Sequence, residues 1–311
     1  MAMKKTDSNK RFGVLTAHLG VAVEVRFDGS DQSEVIRVKR NSGHVVGDRV
    51  SVKGEILTRL KRKSLLSRMD ARGVEHLVGA NLDTLCIVVA CEPVLPPGFI
   101  DRAIVAARTA SLQPVLLVNK CDLPESGEYE TKIQTVYGDS LPVYTVSAVD
   151  NSGLKRFKDY LKQGLRGIFV GPTGVGKSSL LNSLCPSINL QTSPLNESKK
   201  RGRHTTTVST LHSLEGGGEL IDSPGFIDFG LVDITVLDLA FHFPCFEAVQ
   251  EENCGFRNCL HRSEPDCVIT GLVAEGKISQ ERYAIYAGIL HELEALKTEL
   301  RYREKNKRRK K

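Results

Sequence analysis

Tryptophan is absent from this 311-residue chain, methionine occurs three times, and aromatic residues make up 6% of it. A surface that grips single strands by stacking bases on aromatic rings therefore has little material to work with. Long apolar runs are missing as well. The longest, residues 85–91, falls far short of the roughly 20 residues a membrane-spanning helix needs. No apolar stretch follows the basic N-terminus, so neither a secretory signal peptide nor a membrane partner is expected. With 41% hydrophobic and 26% charged residues, the composition excludes a wholly disordered chain, a collagen and a small secreted scaffold. Eight cysteines could form a disulfide framework in a short secreted protein. In a chain of this length, with three of them grouped near a histidine, reduced thiols and a cytoplasmic location are expected.

The net charge of +6 is unevenly spread. Residues 301–311 hold eight Lys or Arg against Glu304, residues 59–72 hold six against Asp70, and residues 1–11 hold four against Asp7. The remaining body is acidic, at −9. Such patches suit the phosphates of a nucleic acid, although a basic tail can also be a solvating charge run.

Val21, Val23, Val25 and Phe27 alternate with polar or small neighbours, and residues 35–38 and 45–52 follow with turn residues between them. Short strands at this spacing predict a small antiparallel barrel or sandwich; a five-stranded OB-fold fits, and so does a β-domain without a ligand. Beyond residue 78 the texture changes to apolar strands (82–90, 115–118, 143–146, 168–170) alternating with helices (100–110, 154–165). Strands apolar on both faces predict a parallel sheet covered by helices. The expected organisation is multidomain: a barrel with a basic loop at 1–78, an α/β P-loop domain at 79–235, and a mostly helical region at 236–311 whose last helix spans 279–303.

Gly171-Pro172-Thr173-Gly174-Val175-Gly176-Lys177-Ser178 matches G-x-x-x-x-G-K-[ST] between a strand and a helix. Its backbone N–H groups can curl around a diphosphate, Lys177 can reach the β- and γ-phosphates, and the Ser178 hydroxyl, followed by Ser179, can meet Mg²⁺. Base choice comes from Asn119-Lys120-Cys121-Asp122, an N-K-x-D motif. The Asp122 carboxylate can accept from guanine N1–H and the 2-amino group, donors that adenine lacks on that edge, while the Lys120 stem covers the base. Ser147-Ala148 is placed to offer a backbone N–H to guanine O6. Asp222-Ser223-Pro224-Gly225 fits D-x-x-G, with Asp222 toward Mg²⁺ and the Gly225 N–H toward the γ-phosphate. Either Thr205 or Thr206 could supply a further Mg²⁺ hydroxyl from a switch loop. Phe226 stands where many GTPases carry the glutamine that orients water, which leaves His204 as the candidate for that task. Cys254-x4-Cys259-x-His261-x5-Cys267 offers a closed Cys₃His set, the pattern of a structural Zn²⁺; Cys245 is the only competing ligand.

The motifs run N-K-x-D, Ser-Ala, phosphate loop, threonine switch, D-x-x-G, a circular permutation of the common GTPase order. With barrel, permuted core, Arg201-Gly202-Arg203-His204-Thr205-Thr206 and Cys/His cluster together, the chain resembles the ribosome small-subunit-dependent GTPase A family. That resemblance implies a monomeric GTPase stimulated by the small ribosomal subunit, acting late in its maturation through rRNA binding, with a hydrolytic role for His204. The other expectation is a nucleotide-sensing RNA chaperone with negligible turnover.

Overall fold

The alternation in the first sixty residues does fold as strands. The computed structural model describes residues 10–309 apart from 31, 71–72, 187, 189–208, 224–229 and 248–253, with side chains described as far as residue 298. Strands β1 (Lys10–His18), β2 (Ala22–Phe27), β3 (Ser33–Arg37), β4 (Arg49–Lys53) and β5 (Ile56–Arg59) pair antiparallel in the order β3-β2-β1-β4-β5. Leu15, Val23, Val25, Phe27, Val50 and Val52 turn inward and bury the apolar half of the pattern. Phe12, Val21, Val35 and Ile56 stay exposed. A hairpin of β6 (Leu65–Met69) and β7 (Glu75–Ala80) follows as a separate two-stranded sheet.

The eleven-stranded sheet continues from β1 through β8 (Thr84–Val89), β9 (Gln113–Val118), β10 (Val143–Thr145), β11 (Arg166–Val170), β12 (Thr210–Ser213) and β13 (Glu219–Asp222), in the order β10-β9-β8-β11-β13-β12 with β12 paired to β1. The first five are parallel, and β12 runs antiparallel to β13. Connecting helices are α1 (Phe99–Thr109), α2 (Ser126–Tyr137), α3 (Leu154–Leu161) and α4 (Lys177–Leu184). Buried on both faces, β8 sends Leu85, Ile87 and Val89 toward α1, while Cys86 and Val88 join α3 and α4 through Phe157, Leu180 and Leu181. Helix α3 buries Leu154, Phe157 and Leu161 as its spacing predicts, but it stops at Leu161 rather than residue 165. Gly164, at φ 83, turns the chain into β11.

The first helical face also receives the C-terminal region: α5 (Val236–His242), α6 (Val268–Ala274) and the 30-residue α7 (Gln280–Arg309). Among the described residues no helix is long and apolar enough to cross a membrane. The joint is polar at its centre. Arg282 of α7 lies 2.6 Å from Asp101 of α1, donates to the Tyr137 hydroxyl at 3.2 Å, and places its guanidinium 5.0 Å from the rings of Tyr137 and Phe243. Both charges are buried, so removing one leaves the other without compensation.

Asp101→Ala is therefore expected to lower unfolding stability by about 3–5 kcal/mol in urea titrations, whereas the double change Asp101→Leu with Arg282→Met restores most of the loss. Equal losses in the single and double variants would show that the ion pair does not hold this joint.

Candidate guanine-nucleotide site and metal centre

Neighbouring strands deliver the nucleotide motifs to one rim of the sheet. Asn119–Asp122 follows β9, Ser147-Ala148 follows β10, the glycine-rich loop 171–176 joins β11 to α4, and Asp222 ends β13. Loops at the carboxyl ends of parallel strands face the same crevice, whatever their order along the chain.

The two halves are tied by one side chain. Buried Asn119 donates from Nδ2 to the Val175 carbonyl at 2.8 Å, binding the base-reading loop to the phosphate loop. Gly176 is required beneath it: its φ of 94 favours glycine, and a Cβ there would sit 2.2 Å from Asn119 Nδ2. Val175 is buried against the α3–α4 core, which fixes the loop from below. Asn119 Oδ1 is buried with no protein partner, a polar atom left over for a ligand.

Asp122 is aimed by a neighbour. The Ser147 hydroxyl donates to Asp122 Oδ1 at 2.6 Å and accepts from the Val149 amide at 3.1 Å. Pattern reading valued Ser147-Ala148 for its backbone and missed this side-chain bond, since no spacing rule links residues 25 apart on different loops. Ser183 of α4 adds another tie by donating to the Ala148 carbonyl at 3.0 Å. Lys120, at φ 65, reaches back to the Glu92 carbonyl at 3.0 Å. Cys121 is held by its amide on the Val146 carbonyl at 3.2 Å, with its thiol raised chiefly by burial.

Lys177 is buried and crosses the loop, donating to the carbonyls of Gly171 and Pro172 at 2.8 Å each. Burial lowers its ammonium to about 8, with nearby Asp222 acting in the opposite direction. Ser178 donates to Asp222 Oδ2 at 3.2 Å, and Ser179 stands half-buried beside it. This hydroxyl and carboxylate, two hard oxygen donors, fit a divalent cation such as Mg²⁺. Ser223 fixes the exit of β13 by donating to the Phe169 carbonyl at 2.6 Å. Thr173 is exposed and Gly174 takes φ 90. His204, Thr205, Thr206 and Gly225 lie outside the described residues.

Far along the chain, Cys254, Cys259, His261 and Cys267 bring their ligand atoms within 4.8 Å of one another. Burial raises the Cys259 thiol and lowers the His261 imidazole, favouring a neutral histidine and disfavouring a bare Cys259 thiolate unless a cation sits beside it. The set can hold a metal ion. Glu264, unnoticed in the sequence, shapes the loop by accepting from the amides of Leu260, Arg262 and Ser263 at 2.8, 2.7 and 3.1 Å. Tyr283 and Tyr286 seat it on α7, donating to the carbonyls of His261 and Leu260 at 2.8 Å each. Cys245 is engaged elsewhere, with its thiol 3.3 Å from the Val136 carbonyl.

The RsgA GTPase family profile matches residues 59–232, more than half of the chain and all the described guanine-nucleotide motifs. The chain belongs to the RsgA GTPase family. The "Small ribosomal subunit biogenesis GTPase RsgA" of Pseudomonas fluorescens (strain Pf0-1) is 37% identical over 297 residues, covering 91% of this chain and 86% of its own. The crystal structure of YjeQ from Thermotoga maritima aligns with TM-score 0.71 and 28% identity over 91% of this chain and 98% of that one. YloQ, described as a circularly permuted GTPase, aligns with TM-score 0.66 and 26% identity over 94% and 98%. As an RsgA GTPase the chain is a GTP hydrolase on a permuted scaffold.

Phosphates placed near Lys177 would favour its charged form, so the bound state holds that proton more tightly than the free state. Binding then takes up a proton and weakens as pH rises through about 8. Titration calorimetry with Mg²⁺ and a GTP analogue is expected to show uptake of about half a proton at pH 8, with the dissociation constant rising about three- to tenfold between pH 7.5 and 9. A constant affinity with no proton uptake over that range would refute the assignment.

Proposed function

We propose that this GTPase is a late maturation factor of the small ribosomal subunit, which binds the subunit with GTP, is stimulated by it and leaves on hydrolysis. The carrying observation is the joining of barrel and nucleotide site. β1 pairs with β12 at Ala17 and Thr210, so the barrel is hydrogen-bonded to the strand that follows the threonine switch in sequence. Nearby, Glu219 of β13 accepts from Arg26 of the barrel and from Arg166 Nε of β11 at 2.8 Å. A partner docked on the barrel thus has a physical route to the phosphates, as the curated relatives' name leads one to expect of a ribosome-linked GTPase.

In this reading Asn119, Lys120, Cys121, Asp122, Ser147 and Ala148 enclose guanine, while residues 171–179 wrap the phosphates with Lys177 as the principal cation. Ser178, Asp222 and either Thr205 or Thr206 hold Mg²⁺, which when bound neutralises charge on the β- and γ-phosphates. His204 positions the attacking water. The chain's own task is orientation and charge stabilisation, because phosphoryl transfer needs little covalent help from protein. Cys254, Cys259, His261 and Cys267 hold one structural Zn²⁺, since three soft thiolates and an imidazole leave no open position. The barrel at 1–78, the GTPase unit at 79–235 and the zinc unit at 236–311 divide the work, in a monomer acting in the cytoplasm. Recognition of folded rRNA runs mainly through its backbone, which makes binding strongly salt-dependent.

GTP turnover measured with and without purified small subunits is expected to rise at least tenfold on their addition. His204→Ala should keep nucleotide affinity and lose most of that stimulation. No stimulation of the wild-type enzyme would exclude the ribosomal reading, and normal stimulation of the variant would remove His204 from hydrolysis.

A further inference from the structure

The C-terminal region presents an apolar surface that the nucleotide chemistry does not use. Phe12, Phe241 and Phe256 are the exposed phenylalanines among the described residues, and two of them, Phe241 of α5 and Phe256 of the Cys/His loop, line one cavity of about 780 Å³. Leu237, one helical turn before Phe241, lines it as well. These three side chains are 48%, 51% and, for Leu237, 45% exposed. Three of the four Cys/His residues share the lining.

Both walls of this groove are built before anything occupies it. Helix α5 buries Leu239 and Ala240, and its first turn is closed by a reciprocal pair: the Thr235 amide donates to the Asp238 carboxylate at 2.8 Å and the Asp238 amide to the Thr235 hydroxyl at 3.1 Å. On the other wall the Cys259 amide donates to the Phe256 carbonyl at 3.2 Å, a turn that fixes the backbone of Phe256 while its ring meets water. Preformed walls carrying half-exposed apolar side chains suit an amphipathic segment laid between them, because little of the surface has to be ordered on binding.

Charge selects the class of occupant. Residues 231–278 hold eight Asp or Glu against three Lys or Arg, a net −5 in a chain whose total is +6. Within the cavity itself Asp238 and Arg257 balance. An apolar groove in an acidic surround repels phosphates and attracts a segment rich in Lys and Arg.

We propose that the groove between α5 and the Cys/His loop docks a Lys/Arg-rich amphipathic segment of a protein carried on the small ribosomal subunit. Apolar side chains of that segment cover Leu237, Phe241 and Phe256, and its cations face the acidic surround. The inference rests on the reading above, that this chain binds the small subunit, and it divides the contact by charge: the basic stretches meet rRNA and the acidic stretch 231–278 meets protein.

Photocrosslinking of the full-length protein tests it. With p-benzoylphenylalanine in place of Phe256, the protein is bound to purified small subunits with a GTP analogue, and co-sedimentation is measured before illumination. The expected product is a crosslink to a subunit protein that survives RNase, mapped by mass spectrometry to a Lys/Arg-rich segment. A crosslink to rRNA overturns the proposal, and so does a crosslink to an acidic segment or the lack of any crosslink from protein that co-sediments. In parallel, the double variant Phe241→Ser with Phe256→Ser is expected to raise the half-saturating subunit concentration for GTP turnover at least fivefold while basal turnover stays unchanged. An unchanged half-saturating concentration also overturns the proposal; if the double variant does not fold, the crosslink decides. Failure of the wild-type protein to co-sediment with small subunits would defeat the underlying reading and the docking with it, whereas a wild type that binds while the variants behave like it defeats the docking alone.

Discussion

A single amide, Asn119 Nδ2 on the Val175 carbonyl, holds the guanine reader and the phosphate loop in one geometry. The loops follow β9 and β11, with β8 between them, and neither could be aimed at a nucleotide without reference to the other. The requirement for glycine at 176, the burial of Val175 and the orientation of Asp122 by Ser147 all serve that alignment. Circular permutation leaves it intact, because it depends on which strands are neighbours in the sheet and not on which comes first in the chain.

Permutation changes what lies on either side of the switches. Strand β12 is sewn to the barrel by β1, Glu219 binds Arg26 of the barrel and Arg166 of β11 together, and Gly230 is sewn to the hairpin. On the other side α7 grips α1 through Arg282 and Asp101 and carries the loop of the Cys/His set on Tyr283 and Tyr286. Both flanking modules are thus fastened to the central sheet and its helices by polar joints and main-chain pairing.

Local pattern carried much of this. Continuous apolar runs marked β8, β9 and β11, the 3.6-residue spacing marked α3, and contiguous motifs supplied the described residues of the candidate nucleotide site and the Cys/His set. What escaped was of two kinds. Helix α2 buries only Ser126, Ile133 and Tyr137, and β12 fully buries only Leu211, so neither leaves a periodic trace. Long-range polar contacts such as Ser147 to Asp122, Arg26 to Glu219 and Met69 to Gly230 join residues whose separation follows no rule of helix or strand. Charge was legible as a sum but not as a surface. In the basic stretch Arg62 is spent on buried Asp48 at 2.6 Å and Lys63 on Asp83 at 2.5 Å, so part of what looked available to RNA is committed to ion pairs within the fold.

The central claim is that this permuted sheet forms one guanine-specific site, with Asp122 as its reader. Competition of GTP and xanthosine triphosphate for the wild-type protein and for Asp122→Asn tests it most directly. The asparagine presents one acceptor and one donor, and the donor suits the 2-oxo group of xanthine in place of the guanine amine. A reversal of preference from GTP to xanthosine triphosphate is expected; a variant that still prefers GTP as strongly as the wild type would contradict the account.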